Sequence, residues 1–214
     1  MNLATRAVSI EGPAGLLQCL VDEPATDSVP QGVAVVAHPH PLHGGTMDNK
    51  VVQTLARAAV QTGWQSVRFN FRGVGASAGV YDEGRGELQD LLAVVQQLAG
   101  GQRLLIAGFS FGAFVAASAV NALGAQREPD AIVLVGTAAS RFTVPPLADG
   151  LHGRALVIHG EDDDTVPLSS ALDWARPQRL PITVVPQVGH FFHGQLPLLR
   201  RLVMRHLQAH HRAG

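Results

Sequence analysis

The sequence is poor in cysteine, in charge and in long apolar runs. Its 214 residues hold one cysteine, Cys19, so no intrachain disulfide can form. The thiol is expected to pack as a small apolar side chain in an early strand. Charged residues make up 15% and the formal net charge is −1, so no field draws nucleic acid or an anionic membrane. No apolar stretch reaches the length of a membrane span. The opening residues, MNLATRAVSIEGPAG, lack the basic-then-apolar order of a signal peptide, and the expectation is a soluble, cytoplasmic protein. What is abundant is core: 46% of residues are hydrophobic, and the length suits one α/β domain over residues 1–214.

The apolar periodicity predicts an antiparallel hairpin at a sheet edge, with strands over 5–10 and 16–21, and then a polar loop over 24–32. Short continuous apolar runs at 33–37, 104–107, 131–135 and 155–158 read as strands buried on both faces, joined by strands at 64–71 and 182–185. Helical spacing appears over 47–62, 86–98, 167–175 and 195–210, and a further helix follows the strand at 104–107. The alternation predicts a mostly parallel central sheet with helices on both faces.

The chain is organised around residues 103–117, RLLIAGFSFGAFVAA. A buried strand, the turn Gly108-Phe109-Ser110-Phe111-Gly112 and a helix of small residues fit a nucleophile elbow. The serine must project from a tight turn, glycines must let strand and helix backbones approach, and the helix N-terminus must face the hydroxyl. An ordinary strand-to-helix turn carrying a serine is the plain alternative. A hydroxyl becomes a nucleophile only beside a base, usually a histidine oriented by a carboxylate. Both follow Ser110 in the expected order, each after a strand. Gly160-Glu161-Asp162-Asp163-Asp164 offers the acid, with Asp163 favoured over Asp162 and Asp164 read as a helix cap. Gly189-His190-Phe191-Phe192-His193 offers the base, with His190 favoured over His193.

The loop His38-Pro39-His40-Pro41-Leu42-His43 follows the strand at 33–37. If it supplies a backbone N–H to an oxyanion, Pro39 and Pro41 cannot be the source; His40 and Leu42 remain, and His40 is favoured. Its three histidines lack a matching further ligand nearby in sequence, so no metal site is expected. Residues 72–79 form a glycine-rich loop without the spacing or lysine of a phosphate loop. Arg72 either pairs with an internal acid such as Asp82 or Asp90 or binds a substrate carboxylate.

Taken together, GFSFG, GEDDDTVP and VGHFFH resemble the α/β-hydrolase superfamily over about residues 33–210. RFNFRGVGASAG is similar to the arginine-glycine loop of many members, which usually carry Asp where this chain has Asn70. HPHPLHGGTMDNK is similar to a loop of small bacterial lidless serine hydrolases. The resemblance implies an α/β-hydrolase fold and a Ser110–Asp163–His190 triad, with an oxyanion hole from the N–H groups of Phe111 and the His40 region. The segment 136–154 is too short for a lid domain, which implies an open site for soluble esters or thioesters. Phe191, Phe192 and Pro145 are expected to wall an acyl pocket, with Phe109 and Phe111 either joining them or packing in the core; Arg72 stays a substrate-binding candidate. The leading expectation is a carboxylesterase-like serine hydrolase acting as monomer or homodimer on a small molecule, with no cofactor. Thioesterase, aminopeptidase-like amidase and a non-catalytic binding module on the same fold are the alternatives.

Overall fold

The computed structural model describes residues 5–24 and 29–211. Residues 25–28 of the expected polar loop, and residues 1–4 of the opening stretch, lie outside that set. Eight strands form one sheet: β1 (Thr5–Gly12), β2 (Gly15–Asp22), β3 (Val33–Ala37), β4 (Gln65–Phe69), β5 (Leu104–Phe109), β6 (Ala131–Val135), β7 (Ala155–Gly160) and β8 (Ile182–Val185). Their order is β1-β2-β4-β3-β5-β6-β7-β8. β2 pairs antiparallel with β1 and with β4, while all pairs from β4 to β8 are parallel. The hairpin runs further into its turn than the apolar pattern suggested, with Gly12 opposite Gly15.

Among the described residues five α-helices cover the sheet: α1 (Lys50–Gln61), α2 (Arg85–Val94), α3 (Phe111–Leu123), α4 (Leu168–Ala175) and α5 (Leu196–His211). Helix α1 begins later than the spacing at 47–62 implied, because the Asn49 side chain accepts from the Val51 and Val52 N–H groups and caps it there. Helix α2 ends at Val94 and widens into a π turn over Val95–Ala99. Strand residues alternate between two cores. Val33, Val35, Leu104, Ile106, Ile132 and Leu134 face α2 and α3, whereas Ala34, Val36, Leu105, Ala107, Val133 and Val135 face α1 and α5. Cys19 is fully buried, and burial pushes its thiol up to about 12.

The connection from β6 to β7 spans residues 136–154 and holds one short 3₁₀ turn, Asp149–Arg154, with no lid. The chain reverses its direction of winding at β3, which lies between β4 and β5. In open parallel sheets such a switch point leaves a crevice at the carboxyl ends of the strands, where ligands bind.

Candidate active site

Five loops converge at that crevice, following β3, β5, β6, β7 and β8. Ser110 follows β5 with φ 57° and ψ −118°, a positive-φ backbone that side-chain-bearing residues seldom adopt. The Ser110 N–H donates to the Val135 carbonyl at 2.8 Å, which ties the turn to β6. The flanking glycines are required sterically. A Cβ on Gly108 would collide with the Gly112 carbonyl, and one on Gly112 with the Ala37 and His38 carbonyls. Phe111 opens α3, so its N–H is among the helix's unpaired amino-terminal donors.

The His190 ring lies between Ser110 and Asp163. Its Nε2 is 3.0 Å from Ser110 Oγ and its Nδ1 is 2.7 Å from Asp163 Oδ2. All three residues are buried, at 8%, 3% and 6% exposure, so the line of contacts is shielded from water apart from the serine's outer edge. Asp163 is held by its other oxygen, Oδ1, which accepts from the Thr165 N–H at 3.0 Å and the Val166 N–H at 2.7 Å. The carboxylate is thus pinned by backbone donors before it reaches the imidazole. The face of the His190 ring rests on Phe109, with centroids 4.8 Å apart. Its edge passes Gly136, where a Cβ would come within 3.1 Å of the ring and φ is +55°.

A cleft of about 310 Å³ opens above this line. Phe111, Phe142, Phe191 and Val166 form apolar walls, and Arg141, His40 and His43 stand among them. Burial lowers the proton affinity of the His40 ring, and the charges of His43 and Arg141 lower it further.

A family model described as serine aminopeptidase, S33, matches residues 34–152. The chain belongs to this family of α/β-hydrolases. The hydrolase is 37% identical to a Xanthomonas campestris serine hydrolase without a lid, covering 98% of this chain and 96% of that one with a TM-score of 0.84. It is 34% identical to a serine hydrolase homologue from Coxiella burnetii, covering 96% and 98% with a TM-score of 0.79. It is also 40% identical over 113 residues to an uncharacterised protein of Rickettsia prowazekii; that match takes in 51% of the chain and spans 47% of the relative's length. The hydrolase is therefore a serine hydrolase of the α/β fold.

The hydrolase brings together Ser110, Asp163 and His190, and sets Phe111, His40 and Phe191 around the cleft. Other expectations need correction. Of the two readings of Arg72 the structure carries the internal pair and not the substrate contact: it is outside the cleft, and its guanidinium binds Asp90 through Nη2 at 2.7 Å and Nε at 3.0 Å, with the Asp90 side chain wholly buried. Phe192 is 1% exposed and packs inward on the β8–α5 core, because its φ of 53° turns it away from its exposed neighbour Phe191. Pro145 also lies outside the cleft, and its carbonyl accepts from Trp174 Nε1 at 3.2 Å. Asp164 does not cap α4, which has no side-chain cap; its carboxylate accepts from the Thr165 hydroxyl instead. Asp162 and His193 do not touch the serine–histidine line; the His193 ring stacks on Phe191. The Leu42 N–H donates to His40 Nδ1 at 3.2 Å, so it is already engaged. His38 is a clamp: Nδ1 donates to the Pro39 carbonyl at 2.6 Å and Nε2 accepts from the Phe71 N–H at 3.0 Å.

Sequence reasoning missed Gly136, Arg141 and Phe142. All follow the carboxyl end of β6, a position that in a parallel sheet was itself the available signal. It also missed His159, whose fully buried ring sits 3.4 Å from Asp163 Oδ2 and donates through Nε2 to the Val166 carbonyl at 2.8 Å.

Proposed function

We propose that the hydrolase cleaves carboxylic esters of small, soluble substrates through an acyl-enzyme. The observation that carries this reading is the Asp163–His190–Ser110 line, with contacts of 2.7 and 3.0 Å, at the floor of an open cleft. In the reaction His190 Nε2 takes the Ser110 proton as Oγ bonds to the ester carbonyl carbon. The tetrahedral oxyanion collapses, the C–O bond to the alcohol breaks, and the alkoxide takes the proton from His190. Water repeats the sequence on the acyl-enzyme and releases the acid. Asp163 holds the Nδ1–H tautomer and offsets the imidazolium charge.

The Phe111 N–H at the start of α3 is the first oxyanion donor. The His40 N–H is the second. It has no acceptor among the described residues, and its peptide is trans. Because the Pro39 carbonyl is turned to His38, the N–H of the same peptide is directed the opposite way.

The family's description as a serine aminopeptidase suggests amide cleavage as a second reading. A peptide's free ammonium group needs a carboxylate to receive it, and no Asp or Glu lines the cleft among the described residues. That favours esters over amino-terminal peptides.

The test is intact-mass analysis after a fluorophosphonate probe, beside turnover of matched ester, thioester and anilide substrates. One adduct on Ser110, absent from Ser110→Ala, is expected, with ester turnover reduced on the order of 10⁶-fold in the variant. A folded wild type that takes no adduct would move the binding-module alternative ahead.

A further inference from the structure

Among the described residues Arg141 is the one arginine that lines the cleft; its backbone is fixed, while its side chain is exposed and has nothing to bind. Arg141 follows β6 on a short turn, where its N–H donates to the Ala138 carbonyl at 3.2 Å and the next N–H, of Phe142, donates to the same oxygen at 3.1 Å. The Phe142 ring stacks on Phe114 of α3, with centroids 4.7 Å apart and planes 9° apart, so the turn is anchored to the helix that follows Ser110. Arg68, Arg72, Arg103 and Arg154 each meet a carboxylate within 3.3 Å. The Arg141 guanidinium makes no ion pair and no side-chain hydrogen bond among the described residues. It nevertheless faces into the site, close enough to His40 for its charge to act on that ring.

The rest of the lining sharpens the point. His40, His43 and His190 are there, and among the described residues no Asp or Glu is, so the charge on the lining is positive. The apolar walls of Phe111, Phe142 and Phe191 exclude water from the cleft once a substrate is seated, which strengthens an ion pair formed inside it. A planar fork of donors on the lining of a cleft with aromatic walls suits a carboxylate held bidentately.

We propose that Arg141 forms an anion subsite, and that the preferred substrates are esters carrying a carboxylate separated from the scissile carbonyl by an apolar spacer. This rests on the ester-hydrolase reading above. The carboxylate can belong to the acyl part, as in a half-ester of a dicarboxylic acid, or to the alcohol part, as in an acylated hydroxybenzoate. The guanidinium recognises the same group in both.

Two substrate series separate these sources. The acyl series compares p-nitrophenyl hemisuccinate and hemiglutarate with p-nitrophenyl butyrate. The alcohol series compares 3-acetoxybenzoate with 3-acetoxybenzamide. For each, the ratio of kcat/KM between charged and neutral substrate is measured in wild type, Arg141→Gln, Arg141→Lys and Arg141→Glu at low and high salt. We expect the ratio to fall about ten-fold in Arg141→Gln in one series, to fall further in Arg141→Glu, and to recover in part in Arg141→Lys. High salt should shrink the wild-type ratio. Ratios that stay within about two-fold across all variants in both series would overturn the subsite.

A binding measurement keeps this separate from the chemistry. In a Ser110→Ala background, 3-acetoxybenzoate and 3-acetoxybenzamide are titrated by NMR with Arg141 intact and with Arg141→Gln. Selective weakening of the carboxylate supports the subsite even if wild type takes no fluorophosphonate and turns over no ester. Equal affinities for the two ligands with Arg141 intact refute it even if ester hydrolysis is established.

Discussion

Asp163 divides its work between its two oxygens. Oδ1 is taken up by the Thr165 and Val166 N–H groups, and Oδ2 by His190. Asp163→Asn keeps the shape and removes the charge, and its amide has one acceptor oxygen for both duties. If that oxygen stays with the backbone donors, an NH₂ group faces His190 and forces the wrong tautomer. We expect kcat to drop on the order of 10⁴-fold, with a much smaller change in thermal midpoint, measured by steady-state kinetics beside thermal unfolding. A variant within ten-fold of wild type would argue against the proposed role of the carboxylate. Phe191 and Phe192 show the limit of residue-level reading. The pair looks equivalent in sequence, yet one ring lines the cleft at 44% exposure and the other is core. The difference is one backbone torsion, the φ of 53° at Phe192.

Among elements, the glycine-rich loop after β4 is held from two sides. Arg72 ties it to Asp90 of α2, and a Cβ on Gly86 would collide with the Arg72 guanidinium, so helix and arginine are fitted to one another. Asn70 ties it to β2 and to the loop after β3: its Nδ2 donates to Gln18 Oε1 at 2.9 Å and its Oδ1 accepts from the Met47 N–H at 2.9 Å. The amide therefore suits a place where related sequences usually have Asp, because it supplies a donor as well as an acceptor. Arg72→Met should cost roughly 3–5 kcal/mol in urea unfolding, because it leaves the buried Asp90 charge with the Arg72 backbone N–H but without its counter-charge. The remaining folded enzyme should keep its KM for carboxylate-bearing esters; a raised KM would return Arg72 to the substrate site.

For the whole molecule, the buried His38 clamp couples folding to pH. Burial lowers its ring from an ordinary 6.5 to about 4. Between those values the unfolded chain binds a proton that the folded ring refuses, so stability is full above pH 6.5 and is lost as pH falls toward 4. The shift corresponds to roughly 3 kcal/mol across that window. His206, also lowered to about 4 by burial, acts in the same direction. Urea unfolding of wild type and His38→Asn through the window checks this. The variant should be less stable at neutral pH, having lost the clamp, and should lose less on acidification. Equal losses in the two proteins would remove His38 from the account.

Much of this was legible along the chain, because it depends on neighbours in sequence. Strands such as Val33–Ala37 and Ala131–Val135 are unbroken apolar runs, and only a strand covered on both faces accommodates that pattern. The elbow was legible because Gly108 answers to a steric need within five residues of backbone, the approach of the Gly112 carbonyl, whereas the need at Gly112 comes from the Ala37 and His38 carbonyls at the end of β3. Ser110, Asp163 and His190 could be named from their positions after strands, although 80 residues separate the serine from the histidine. The tertiary structure alone decided which groups already had partners. Arg72 and Arg141 each follow a strand and each carry the same guanidinium, but Asp90 lies beside the first and no acid beside the second. Pairing of that kind depends on the packing of α2 against the loop after β4 and on the turn after β6, and neither is written in local periodicity.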